Sequence, residues 1–107
     1  GAAFYNDPAM VRNIYKIRLI NKRNQEATVS IHLGKGTPTG YQLSGDEQVF
    51  HVPALQELSR TCVVVAPSEH YVGTSDIVLE IQADPGNVSL RKTAKFLGPP
   101  PKPSTGQ

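Results

Sequence analysis

The chain has no tryptophan and a single cysteine, Cys62. One cysteine excludes an internal disulfide, so a folded core must be held by apolar packing. No run approaches the ~18 consecutive apolar residues of a membrane helix. Helical periodicity is equally scarce. Only Ala54 to Arg60, with Leu55 and Leu58 three apart, suggests a helical turn. So short a stretch does not hold a helix by itself. Neither sign of charge dominates: 11 Lys and Arg stand against 9 Asp and Glu, scattered along the chain. That excludes the massed basic footprint of a nucleic-acid binder.

Catalytic signatures are missing as well. The loop Gly34 to Gly40 lacks the Gly-x-x-x-x-Gly-Lys-Ser/Thr order of a phosphate cradle, and no helical pattern follows it. No serine sits in a nucleophile-elbow pattern. Asp46, Glu47 and Asp84 fall at turns, where carboxylates cap backbone groups. The chain begins without Met or a signal peptide. It is read as an excised segment of a larger protein, with Gly1 to Phe4 including a scar of expression cloning.

What is present is alternation. Tyr15, Ile17 and Leu19 alternate with Lys16 and Arg18, and Val29, Ile31 and Leu33 with Ser30 and His32. A period of two is that of a half-buried strand. Between these runs, residues 21–25 turn the chain. Tyr41 with Leu43, and Val49 with Phe50 and Val52, give two short strands, the second ended by Pro53. Thr61 to Ala66 is the most apolar run and reads as an interior strand. Ile77, Leu79 and Ile81 face inward from the next, with Val78, Glu80 and Gln82 outward. Asp84-Pro85-Gly86-Asn87 is a turn. Val88 to Leu97 closes the set, with Leu90, Ala94 and Phe96 on one face.

About seven short strands in 107 residues, punctuated by 9 Gly and 9 Pro, predict an all-β fold. Its expected form is an immunoglobulin-like sandwich of two antiparallel sheets, with a closed barrel as the rival. Residues 1–10 are expected to be a loose lead-in or expression remnant, 11–98 the sandwich, and 99–107 a Pro-rich tail.

His32, His51, His70, Met10 and Cys62 are the candidates for metal binding. The histidines recur 19 residues apart and form no close-spaced pair. They read as solvated histidines, and Cys62 as a buried inert thiol. No residue is assigned a catalytic, cofactor-binding or metal-binding role. Tyr71 either docks its hydroxyl on backbone as a brace or is simply part-buried. The sequon Asn87-Val88-Ser89 reads as a chance match.

Three segments together carry a resemblance: Asn13-x-Tyr15-x-Ile17-x-Leu19-x-Asn21-Lys22, then Val63 to Pro67 with Gly73 and Ile77, then Lys95-Phe96-Leu97-Gly98-Pro99. The pattern resembles the carboxy-terminal domain of the FixG/CcoG family, accessory proteins of cbb3-type cytochrome oxidase. The resemblance implies a parent in the bacterial inner membrane with ferredoxin-like 4Fe-4S clusters, acting in oxidase assembly through electron transfer to copper. This domain would lie on the periplasmic face, docking protein partners or the parent's own membrane domain, without binding nucleic acid or inserting in the membrane. No cluster-ligating cysteine of the family maps onto this chain. The matched residues Asn13, Tyr15, Asn21, Lys22, Pro67, Phe96, Gly98 and Pro99 therefore read as structural. The alternative is a β-sandwich of another extracytoplasmic system, such as an adhesion, carbohydrate-binding or chaperone-like module.

Overall fold

Strict alternation lets a ribbon bury one row and wet the other, and the chain forms eight strands. The structure, a computed structural model, describes residues 2–7, 9–45 and 48–101, with residues 2–7 as backbone alone. Asp46 and Glu47 and most of the Pro-rich tail lie outside the described residues. The strands are β1 (Ala2–Asp7), β2 (Met10–Ile20), β3 (Ala27–Leu33), β4 (Gln42–Ser44), β5 (Val49–Val52), β6 (Glu57–Pro67), β7 (Ser75–Asp84) and β8 (Val88–Phe96). They form two four-stranded antiparallel sheets, ordered β1-β2-β6-β4 and β5-β3-β7-β8. This is the sandwich that the alternation predicted.

The backbone of the first sheet is the pairing of β2 with β6, from Met10 opposite Pro67 to Ile20 opposite Glu57. In the second sheet β7 lies between β3 and β8, with Leu33 opposite Leu79 and Leu79 opposite Lys92. Side chains from both inner faces meet in one core that includes Val11, Tyr15, Ile31, Tyr41, Phe50, Val64, Ala66, Ile77, Leu79 and Phe96. Phe96 is fully buried, its ring centroid 4.9 Å from that of Tyr41 and 6.4 Å from that of Tyr71. Tilted aromatic pairs at this spacing are favourable beyond their buried area.

Four expectations are corrected. The lead-in is not loose: β1 pairs with β2, Ala2 opposite Tyr15 and Asp7 opposite Met10. Its alternation is weak because an edge strand satisfied by ladder hydrogen bonds does not need a strong apolar pattern. The helical turn does not form at Ala54 to Arg60. Leu55 has a φ of 60°, in the left-handed region, and its amide bonds to the Arg23 carbonyl at 3.0 Å, so the chain turns and enters β6.

Val78, expected to face water, is buried. The glycine-rich loop covers it. The Gly34 amide donates to the Val78 carbonyl at 2.8 Å, and the Thr37 hydroxyl accepts from the Val78 amide at 3.0 Å. Arg91 holds the loop from outside, through the Lys35 carbonyl at 2.8 Å. Leu90, expected to share the inward face with Phe96, is 52% exposed. It points inward but meets no opposite sheet.

Phe96 and Leu90 thus lie on one row of one strand in opposite environments. Phe96→Ala is expected to lower unfolding free energy by about 3–5 kcal/mol. Leu90→Ala should change it by less than ~1 kcal/mol. Urea unfolding midpoints with unchanged slopes check both, and equal losses would contradict the packing described.

Candidate functional site

The two sheets are clasped at one end of β2; at the other they are tied on the β5 side and parted on the β8 side. At the clasped end Asn13, an amide in the middle of a strand, is fully buried. Its Nδ2 donates to the Leu97 carbonyl at 2.8 Å, and its Oδ1 accepts from the Leu97 amide at 2.8 Å. One side chain thereby imitates a ladder partner and joins β2 to the end of β8 across the sandwich. Two residues on, the Tyr15 hydroxyl donates to the Lys95 carbonyl at 2.9 Å. The Tyr71 hydroxyl donates to the Pro99 carbonyl, so Tyr71 is a brace as well as a part-buried ring. Gly98 is required between them, because a Cβ there would lie 2.9 Å from Tyr71 Cζ.

Asn21 does comparable work at the far end of β2. Its Nδ2 reaches the carbonyls of Gln25, Val52 and Pro53 at 2.8, 3.1 and 3.2 Å, and its Oδ1 accepts from the Arg23 amide at 3.0 Å. The turn after β2 is thereby tied to the end of β5.

Between these ties the sheets diverge. β1 stops opposite Tyr15, so Lys16 to Ile20 have no strand partner on the side away from β6 among the described residues. On the facing sheet, β8 is an edge strand. The gap is a cleft of about 1000 Å³, floored by Ile17, Leu19, Val29, Leu79, Ile81 and Leu90. Lys16, Lys22, Arg23 and Lys92 stand on its rim, and among the described residues no acidic side chain lines it. An apolar trough with cationic edges can hold an apolar, anionic partner. It offers no nucleophile or general base.

The metal candidates are not brought together. His32 and His51 lie on neighbouring strands, but the register sets Thr28, not His32, opposite His51. His51 instead lies 3.4 Å from Glu26, while His70 sits exposed in the loop after β6. Among the described residues no three His, Cys, Asp or Glu side chains converge. Cys62 lies opposite Tyr15, half-buried. Burial pushes its thiol above the ordinary value, which keeps it protonated and unreactive. A 4Fe-4S cluster takes four thiolates, and a single half-buried one does not fit it.

Sequence reading marked Asn13, Tyr15, Asn21, Lys22, Pro67, Phe96, Gly98 and Pro99 as structural. Asn13, Tyr15, Asn21 and Pro99 make the ties, Gly98 makes room for Tyr71, Phe96 is core, Pro67 pairs with Met10 at the end of β6, and Lys22 lines the cleft. It missed the cleft. The available signal was Lys92, a cation on the inward row of β8 between Leu90 and Ala94.

The family model for the "IG-like fold at C-terminal of FixG" matches residues 2–99. Its description names that parent as a candidate oxidoreductase. Among solved structures, a FixG-related protein from Vibrio parahaemolyticus superposes with a TM-score of 0.71 at 17% identity, covering 91% of this chain and 94% of that one. That likeness concerns the fold. No curated protein matches the chain.

Asn13→Ala leaves both backbone groups of Leu97 without partners and is expected to cost about 2–4 kcal/mol. Asn13→Asp should also destabilise, because a carboxylate cannot donate to the Leu97 carbonyl. Equilibrium unfolding checks this, and a neutral Asn13→Ala would remove the clasp from the account.

Burial is the main cause raising the Tyr15 hydroxyl and the Cys62 thiol. The folded state holds these protons more tightly than the unfolded chain. Their stabilising contribution is complete below the ordinary thiol and phenol values of 9.0 and 10.0, and is lost as pH climbs through and beyond them. The melting temperature should therefore fall as pH rises above about 9, more steeply above about 10, and fall less in Tyr15→Phe.

Proposed function

Because the chain belongs to the family of immunoglobulin-like domains at the carboxy-terminal end of FixG, we propose that it is a non-catalytic interaction and stabilising domain. Its parent would be a membrane-bound 4Fe-4S protein of the FixG type that serves assembly of cbb3-type cytochrome oxidase. On this reading the domain lies on the periplasmic face, and electron transfer and copper handling belong to the rest of the parent.

The observation that carries the reading is the contrast between a fully packed, chemically inert core and one open apolar cleft beside free strand edges. Such edges are natural docking surfaces. The aromatic residues support the same choice over carbohydrate binding. Tyr15, Tyr41, Phe50 and Phe96 are buried and Tyr71 is half-buried, so none of them forms an exposed stacking platform.

Immobilised domain should enrich cbb3-oxidase assembly components from detergent-solubilised bacterial membranes. Enrichment no better than that given by an unrelated β-sandwich would contradict the assignment.

A further inference from the structure

We propose that the edge of β6 from Glu57 to Thr61 is a docking site for an extended strand of another polypeptide. That strand runs antiparallel to β6, in line with β4. It sets an acidic residue opposite Arg60 and an apolar one opposite Leu58. Such pairing would be the interaction domain's mode of contact, and it rests on that reading for its biological setting.

Three observations converge on this occupant. The first is a gap inside the sheet. β4 pairs with β6 only from Val63 to Val65. After Ser44 the chain crosses to the other sheet, where the Gln48 carbonyl accepts from the Ile31 amide at 3.0 Å and β5 follows. Glu57 to Thr61 therefore have β2 on one side and no strand on the other among the described residues. Five residues of strand span about 17 Å.

The second is the phase of the backbone groups. One step beyond Ile20 opposite Glu57, the Asn21 amide donates to the Gln56 carbonyl at 2.9 Å. Hydrogen-bonded pairs alternate along an antiparallel ladder. Leu58 and Arg60 therefore turn their amides and carbonyls to β2, while Glu57, Ser59 and Thr61 turn theirs to the empty side. One of these groups has a substitute partner, because the Arg60 guanidinium donates to the Ser59 carbonyl at 2.9 Å. A side chain stands where a strand would.

The third is charge. Arg60 lies opposite Ile17 and Leu58 opposite Leu19, which puts both on the inward row. Arg60 is exposed and has no carboxylate partner among the described residues, since Glu57 is taken by Arg18 on the outer face. A cation in the inward row of an open edge deters apolar strands from pairing indiscriminately. A carboxylate directly opposite shares its face and meets its charge. Leu58 packs against the core and takes an apolar neighbour. The same arginine disfavours a second copy of this chain. Two such edges, paired with their inward rows together, would hold the two Arg60 side chains opposite or diagonal to each other. Read along an antiparallel partner, the motif is acidic-x-apolar.

The test uses a fluorescein-labelled peptide of ~7 residues, Thr-Thr-Glu-Thr-Val-Thr-Thr. Controls exchange Glu with Val, replace Glu by Lys, or carry one N-methyl group, either on the threonine between Glu and Val or on Glu itself. The parent peptide should bind saturably and slow amide exchange at Ser59 and Thr61 about tenfold, with Leu58 and Arg60 already protected by β2. N-methylation of the central threonine, whose amide faces β6, should abolish binding. N-methylation of Glu, whose amide faces away, should spare it. Arg60→Glu, altered at an exposed side chain and checked for an unchanged melting temperature, should weaken binding about tenfold and transfer preference to the Lys peptide. Equal affinity for the two N-methyl peptides, unchanged affinity in Arg60→Glu, or Ser59 and Thr61 amides as slow as Leu58 in the unbound domain would overturn the proposal. Peptide failure with successful enrichment of assembly components would refute the docking mode alone. The reverse result would refute the oxidase setting alone.

Discussion

A single buried amide sets the geometry of this domain. Asn13 makes two 2.8 Å hydrogen bonds to the backbone of Leu97, in a core where an unmet polar group is expensive. No disulfide shares the task, since the chain has one cysteine. The pair fixes how far apart the sheets sit and places Phe96 between Tyr41 and Tyr71. Tyr15 repeats the tie two residues along. Apolar burial drives the sheets together, but it has no direction. The amide supplies the register between layers.

The same arrangement leaves the opposite end open on its β8 side, while Asn21 ties the β5 side. Beyond Tyr15, β2 has no side-chain tie to β8 among the described residues. The inward row of β8 then passes from Phe96, fully buried, to Leu90 and Val88, which are exposed. One continuous strand serves as core at one end and as surface at the other.

Much of this was legible in the sequence, and the failures have physical causes. Alternation at Tyr15, Ile17, Leu19 and at Ile77, Leu79, Ile81 specified two-faced strands, and they are present. Alternation cannot say whether an inward row meets another sheet, so Leu90 was placed in a core that is absent there. Nor can it show a loop folding back. Val78 is outward by parity and buried by residues 34–37. Leu55 and Leu58 had helical spacing, but the left-handed backbone at Leu55 overrode it. The resemblance to the FixG family rested on three segments that include Asn13, Tyr15, Asn21, Lys22, Pro67, Phe96, Gly98 and Pro99. Of these, Asn13, Tyr15, Asn21 and Pro99 make the ties, Gly98 makes room for Tyr71, and Phe96 fills the core between the sheets.

Hydrogen exchange followed residue by residue in the isolated domain tests the central claim most directly. The Leu97 amide, bonded to a buried side chain in the other sheet, should exchange only through global unfolding, among the slowest in the chain. Amides of Leu90 and of the free β2 edge should exchange faster through local opening. A fast Leu97 amide, or a Leu90 amide as slow as that of Leu97, would contradict a sandwich clasped at the Asn13 end and parted on its β8 side at the other.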